Sequence, residues 1–128
     1  MTDAKARASS HIIDSELFKD QYGTEEMQCL FTDEALLQRW LDVEAALARA
    51  EALVGRIPAA AAEEITRKAK ASNLDIPGIG REIESTSHPI VPVIRALQHV
   101  YDGDTGQYIH LGATTQDITD TATVFQIK

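Results

Sequence analysis

The sequence predicts an all-α chain, in which an N-terminal helical domain leads into the first helix of a longer bundle that stops short. Three observations carry this expectation. Apolar residues recur at spacings of three and four in four separate stretches, which is the period of an amphipathic helix. Helix-starting and helix-ending residues stand at the edges of those stretches. The last stretch, Ile118 to Phe125, reaches Ile127-Lys128 with no glycine, asparagine or proline to close it.

The longest stretch runs from Thr32 to Val54, where Leu36, Trp40, Val43, Leu47, Ala50 and Val54 form one apolar seam. Arg39, Asp42, Glu44, Arg49 and Glu51 flank it as a charged surface. Thr32 or Asp33 caps its start and Gly55 its end. Pro58 suits the first turn of a second helix, with Ala62, Ile65 and Ala69 on its apolar edge and Asn73 as its stop. Asp75-Ile76-Pro77 opens a short helix carrying Ile79 and Ile83, and Glu84 to His88 reads as a polar connection. Pro89 then starts a helix whose Ile90, Ile94, Leu97 and Tyr101 share a face, ended by Asp102-Gly103-Asp104. Tyr108, Ile109 and His110 are expected as a short extended approach to Gly112, before the final helix.

A chain of 128 residues, 44% of them apolar, suits one domain. Residues 1–17 are expected as a flexible N-terminus, 18–112 as the helical domain and 113–128 as the start of the bundle helix. Twenty acidic against 12 basic residues give a net charge of −8, and no lysine or arginine stripe is present to neutralise phosphates, which argues against nucleic acid. The same acidity requires any anionic substrate to be held by a local group of donors. Cys29 is the only cysteine, which excludes an internal disulfide and fits the cytosol. No apolar run approaches the roughly 20 residues that span a bilayer, and Met1 to Ser10 does not read as a signal peptide. A cytoplasmic protein without membrane contact is expected.

Two polar clusters stand where helices begin. Thr114, Thr115 and Gln116 add hydroxyl and amide donors to the unpaired N–H groups and positive dipole end of a helix N-terminus, an arrangement suited to a carboxylate. Ser87 and His88, ahead of Pro89, form a second cluster of the same kind. Each cluster taken alone also fits plain helix capping, and His110, between Ile109 and Leu111, also fits a buried imidazole bonded to backbone. The four histidines have no metal-ligand spacing, so no metal is expected.

The segment Tyr108-Ile109-His110-Leu111-Gly112-Ala113-Thr114-Thr115-Gln116-Asp117-Ile118-Thr119-Asp120-Thr121-Ala122 resembles the first shared motif of adenylosuccinate lyases and carboxymuconate cycloisomerases, a branch of the fumarase/aspartase superfamily. Ile83-Glu84 and Thr86-Ser87-His88 resemble the histidine loop of adenylosuccinate lyases, and Leu37 to Pro58, with Asp42-Val43-Glu44-Ala45-Ala46-Leu47-Ala48, the first long helix of the family. The resemblance runs from about Phe18 to Lys128. It implies that His88 and His110 are catalytic histidines lining the substrate cleft, and that Thr114 and Thr115 hold a substrate carboxylate. Gln116 and Asp117 would shape the same turn, with Ser87 beside His88. It implies a small dicarboxylate substrate, no cofactor and a homotetramer for the full-length protein.

Two residues depart from the family pattern: Thr115 stands where serine is common, and Pro89 where adenylosuccinate lyases usually have aspartate. The hydroxyl chemistry survives the first, while the second favours a relative with another substrate, a cycloisomerase included. The family reaction abstracts a proton beside a carboxylate and expels an amine or oxygen leaving group, commonly with release of fumarate, so it needs an acid, a base and an oxyanion holder. The family's late flexible loop, with its serine base beside a methionine and a proline, has no counterpart, because no methionine follows Met27. Nor does any of the four histidines sit in the second family motif. The expectation is a substrate-binding N-terminal portion of a lyase that is inactive by itself. The alternative from another class is a freestanding helical interaction module that pairs through the Leu36 to Val54 seam.

Overall fold

A computed structural model describes residues 10–128; the expectation of a frayed Met1 to Ser10 lies almost wholly outside them. The described residues form seven α-helices and three short 3₁₀ turns, with no strand among them. The helices are α1 (Lys19–Tyr22), α2 (Glu25–Leu30), α3 (Asp33–Leu53), α4 (Ala59–Lys68), α5 (Ile76–Thr86), α6 (Ile90–Gln98) and α7 (Thr115–Ile127). The all-α class is as the periodicity predicts.

Helix α3 is the axis of the fold, with α4 and α7 both packed along it. Its start is fixed by Thr32, whose hydroxyl accepts the Ala35 N–H at 3.1 Å, while Asp33 and Glu34 meet the positive end of the helix dipole. Its end is turned by Gly55 at φ 75°, a left-handed conformation that favours glycine. The buried face of α3 lies to one side of the expected seam. Leu37, Leu41, Ala45 and Ala48 enter the main core with Ile57, Ala62, Ile65, Val93, Leu97, Tyr101 and Ile109. This face starts one residue, about 100°, round the helix from Leu36. Of the expected seam only Val43 is buried; Leu36, Trp40 and Leu47 are half-buried, and Ala50 and Val54 are exposed. Both stripes are apolar, and the neighbours decide between them: α4 covers the first, and α7 reaches the second through Ile118 and Ala122.

Helix α4 ends at Lys68, before the Asn73 stop that the sequence suggests. Gln38 of α3 accounts for the early end: its amide accepts the Ala71 N–H at 2.9 Å and donates to the Ala69 carbonyl at 3.2 Å. These bonds satisfy backbone groups that the helix would otherwise have paired. Helix α5 runs on through Thr86, where a polar connection was expected, because the Ser85 and Thr86 hydroxyls fold back onto the Glu82 carbonyl. It stops at Ser87, at φ 54°.

The extended piece expected at Tyr108 to His110 is instead a 3₁₀ turn over Thr105–Tyr108, then one extended residue, Ile109, and then His110 at φ 62°. Gly106 eases the turn, since a Cβ there would lie 3.2 Å from the Gln98 carbonyl oxygen and would press on it.

A second, smaller cluster joins α7 to the rest. Val43, Ile90, Ile118 and Ala122 are buried together, with Trp40, Ile94 and Ala113 around them. Ala113 ties it to the polar loop ahead of α7. No helix among the described residues is long and apolar enough to cross a membrane.

Candidate active site

One cleft of about 470 Å³ opens between α6 and the start of α7. Val91, Ile94, Arg95 and Gln98 line one wall at helical spacing, and Ala113, Thr114 and Thr115 the other; His88 and His110 complete it. Four of the residues expected at the site therefore share one cavity. Ser87, Gln116 and Asp117 are exposed and do not line it. A larger groove of about 520 Å³ lies between α3 and α4, but its lining of Ala52, Leu53, Ala59 and Ala62 with Arg49 and Glu63 holds no histidine. Chemistry, not volume, selects the candidate.

The His110 ring is held from below. Its Nδ1 lies 2.6 Å from Glu44 Oε1, and its backbone N–H donates to Glu44 Oε2 at 3.0 Å. Glu44 is 2% exposed, while the His110 side chain keeps 21% of its surface. On α3, Glu44 falls between the face that enters the main core and the face that meets α7, where it spans to the loop. Burial pushes the Glu44 carboxyl above its ordinary range; the His110 ring and N–H oppose that rise, and Glu51 one turn pair further along α3 adds to it. One oxygen of Glu51, itself buried, has no hydrogen-bond partner among the described residues.

The resemblance over Tyr108 to Ala122 pointed to His110 but not to Glu44. A charged residue beside an apolar stripe reads as solvated surface, and its partner here is 66 residues away. The one local hint is that Glu44 sits between two apolar stripes of α3, not opposite them.

His88 closes the other end of the cleft. Its Nδ1 accepts the Val91 N–H at 3.3 Å, so this ring caps α6 and keeps Nε2 for other contacts. At the start of α7, Thr114 donates its N–H and its hydroxyl to Asp117 Oδ2, at 2.8 and 3.0 Å. Those two bonds, the backbone one first, hold the Asp117 carboxyl below its ordinary range. Thr114 thus acts as a helix cap with its hydroxyl engaged by Asp117, and Thr115 lines the cleft beside it. Arg95 supplies a permanent positive charge on the α6 wall, where Nη1 lies 2.7 Å from Glu82 Oε1. Among the described residues no group of three side chains could hold a metal ion.

An all-helical scaffold that sets two histidines, an arginine and a hydroxyl-bearing helix start around one cleft brings together hydrogen-bond donors of the kind a carboxylate requires. No family model matches the chain. Individual proteins do: the chain is 44% identical over 119 residues to an N-acetyl-S-(2-succino)cysteine lyase of Enterococcus italicus, covering 93% of this chain and 26% of that protein. It is 45% identical over 108 residues to an adenylosuccinate lyase of Methanocaldococcus jannaschii, covering 84% of this chain and 23% of that one. In structure it matches the 3-carboxy-cis,cis-muconate lactonizing enzyme of Pseudomonas putida with a TM-score of 0.83 at 35% identity, over 88% of this chain and 26% of that one.

The homologues of this chain are lyases of the fumarase/aspartase superfamily. Those homologues include N-acetyl-S-(2-succino)cysteine lyases, adenylosuccinate lyases and a 3-carboxy-cis,cis-muconate cycloisomerase, and the chain spans about a quarter of the length of the curated relatives it matches.

Proposed function

We propose that this chain is the carboxylate-binding, N-terminal part of a lyase acting on a small dicarboxylate substrate, whose whole protein carries out proton abstraction and β-elimination. The observation that carries the reading is the single cleft shared by His88, His110, Thr114 and Thr115. One substrate carboxylate lies at the start of α7, on the Thr115 hydroxyl and the first-turn N–H groups. His110 and His88 offer their Nε2 atoms for proton transfer or hydrogen bonding, and Ser87, Gln116 and Asp117 shape the two helix starts around them. Val91 and Ile94 give the cleft an apolar wall that strengthens these polar contacts. The remaining catalytic groups come from segments other than residues 1–128, so the isolated chain binds and does not turn over. The full-length protein is read as a cytoplasmic homotetramer, residues 18–112 as its N-terminal domain and 113–128 as the start of a bundle helix.

The test is titration of the ¹⁵N-labelled chain with succinate. Two or three charge-assisted hydrogen bonds of about 1.5–3 kcal/mol each, set against the entropic cost of association, give affinity on the order of millimolar. Amide shifts should centre on residues 110–117 and weaken in Thr115→Ala. Saturable shifts centred on the α3–α4 groove, or no saturable shift at all, would refute the assignment.

A further inference from the structure

We infer that Glu44 is the positioning residue of His110: its buried carboxylate holds the ring with the proton on Nδ1, so that the neutral imidazole presents Nε2 to the cleft as a bare proton acceptor. The inference rests on the cleft reading above and adds to it the group that determines which ring nitrogen can react.

The geometry supplies the argument. A carboxylate sealed from water is costly unless it is fully hydrogen-bonded. Both Glu44 oxygens are used on one residue, Oε1 on the ring and Oε2 on the backbone N–H of His110. The same residue thus fixes the ring and offsets the strain of a histidine at φ 62°, a region that non-glycine residues seldom occupy. Backbone support alone would need only Oε2; the 2.6 Å contact to Nδ1 adds control of the ring. An ionised carboxylate only accepts, so Nδ1 must donate, and a neutral ring then has its lone pair on Nε2. Two other carboxylates bear on the pair, Glu51 through Glu44 and Asp117 through His110.

The decisive measurement is a long-range ¹H–¹⁵N correlation of the histidine rings in the 128-residue chain at about pH 8.5, above the ordinary histidine range. His110 should show a protonated Nδ1 and a bare Nε2. Glu44→Gln, whose amide can donate to Nδ1, should move His110 to the Nε2–H form and weaken succinate binding severalfold. Glu44→Asp should retain much of the wild-type pattern. A wild-type His110 in the Nε2–H form would overturn the inference, whether or not any variant folds. So would a folded Glu44→Gln chain with an unchanged tautomer. The tautomer is read without ligand, so absent succinate binding would count against the cleft reading and leave this result standing on its own.

Discussion

Ile118 tests how the site depends on the small cluster under it. The residue is 1% exposed and packs with Val43, Ile90 and Ala122, a far smaller set than surrounds Leu41 in the main core. Replacing a buried isoleucine by alanine costs about 2–5 kcal/mol, through lost transfer energy and the cavity left behind. The lower half of that range applies here, because α7 has the second cluster alone as its buried anchor and can settle inward to fill part of the space. Ile118→Ala should therefore cost about 2–3 kcal/mol, felt first as opening of α7 and not as loss of the whole fold. In hydrogen exchange, that free energy speeds opening by roughly 30- to 150-fold at Ala122 and Thr123, while amides of α3 and α4 change little. Ile118→Val should cost only about 0.5–1.5 kcal/mol. Because α7 carries the Thr114 and Thr115 end of the cleft, succinate binding should fall in parallel. Equal acceleration across α3, α4 and α7 would show that the two clusters are one cooperative core and would refute the reasoning.

Three further outcomes follow from other contacts. The Tyr101 hydroxyl donates to the Ile65 carbonyl, which keeps its helical partner Ala69, so Tyr101→Phe leaves no orphaned acceptor and should cost only about 0.5–1.5 kcal/mol in urea unfolding at neutral pH. Burial pushes the Tyr101 phenol up to about 12 from 10.0, so its protonated form is favoured in the fold; stability from this group is present below pH 10 and is lost as pH rises toward 12. Wild type should lose stability more steeply than Tyr101→Phe across that alkaline window, and parallel curves would count against the buried hydroxyl. Asp117 shows the opposite sign: its lowered carboxyl favours the fold above the ordinary aspartate value of 3.8, and this contribution disappears as pH falls through the depressed value. Asp117→Asn should flatten the acid limb of helicity in α7, followed by circular dichroism and amide shifts, because its amide oxygen can still accept from Thr114 but no longer titrates. Gln38→Ala removes both bonds to the Ala69–Ala71 break and should destabilise the chain by about 1–3 kcal/mol, with exchange fastest at Ala71.

Much of the fold was legible because its elements carry local signals. Thr32 caps α3, Gly55 closes it, and Ala62 and Ile65 line the buried edge of α4, all as spacing implies. What spacing could not rank was which of two apolar stripes on α3 faces the larger core, since that depends on where α4 and α7 land. The break at Ala69 was hidden for the same reason: Gln38, more than thirty residues earlier, terminates the helix through space. At the site, the order of Tyr108 to Ala122 led to the cleft histidine and hydroxyls. Glu44 escaped because a carboxylate is assigned to solvent until its distant partner is known, and Arg95 because a lone arginine on a helix carries no motif.

The contact between Glu44 and His110 also constrains the order in which the chain can become native. The α3–α4 pairing joins neighbours and closes early, whereas Glu44 must wait for a residue 66 positions later. Until then a nascent α3 that begins to bury this face carries an uncompensated carboxylate into its own core, which penalises premature collapse there. The side chain that holds the His110 ring thus also delays closure of the interior beneath it until loop 110–113 has emerged to satisfy it.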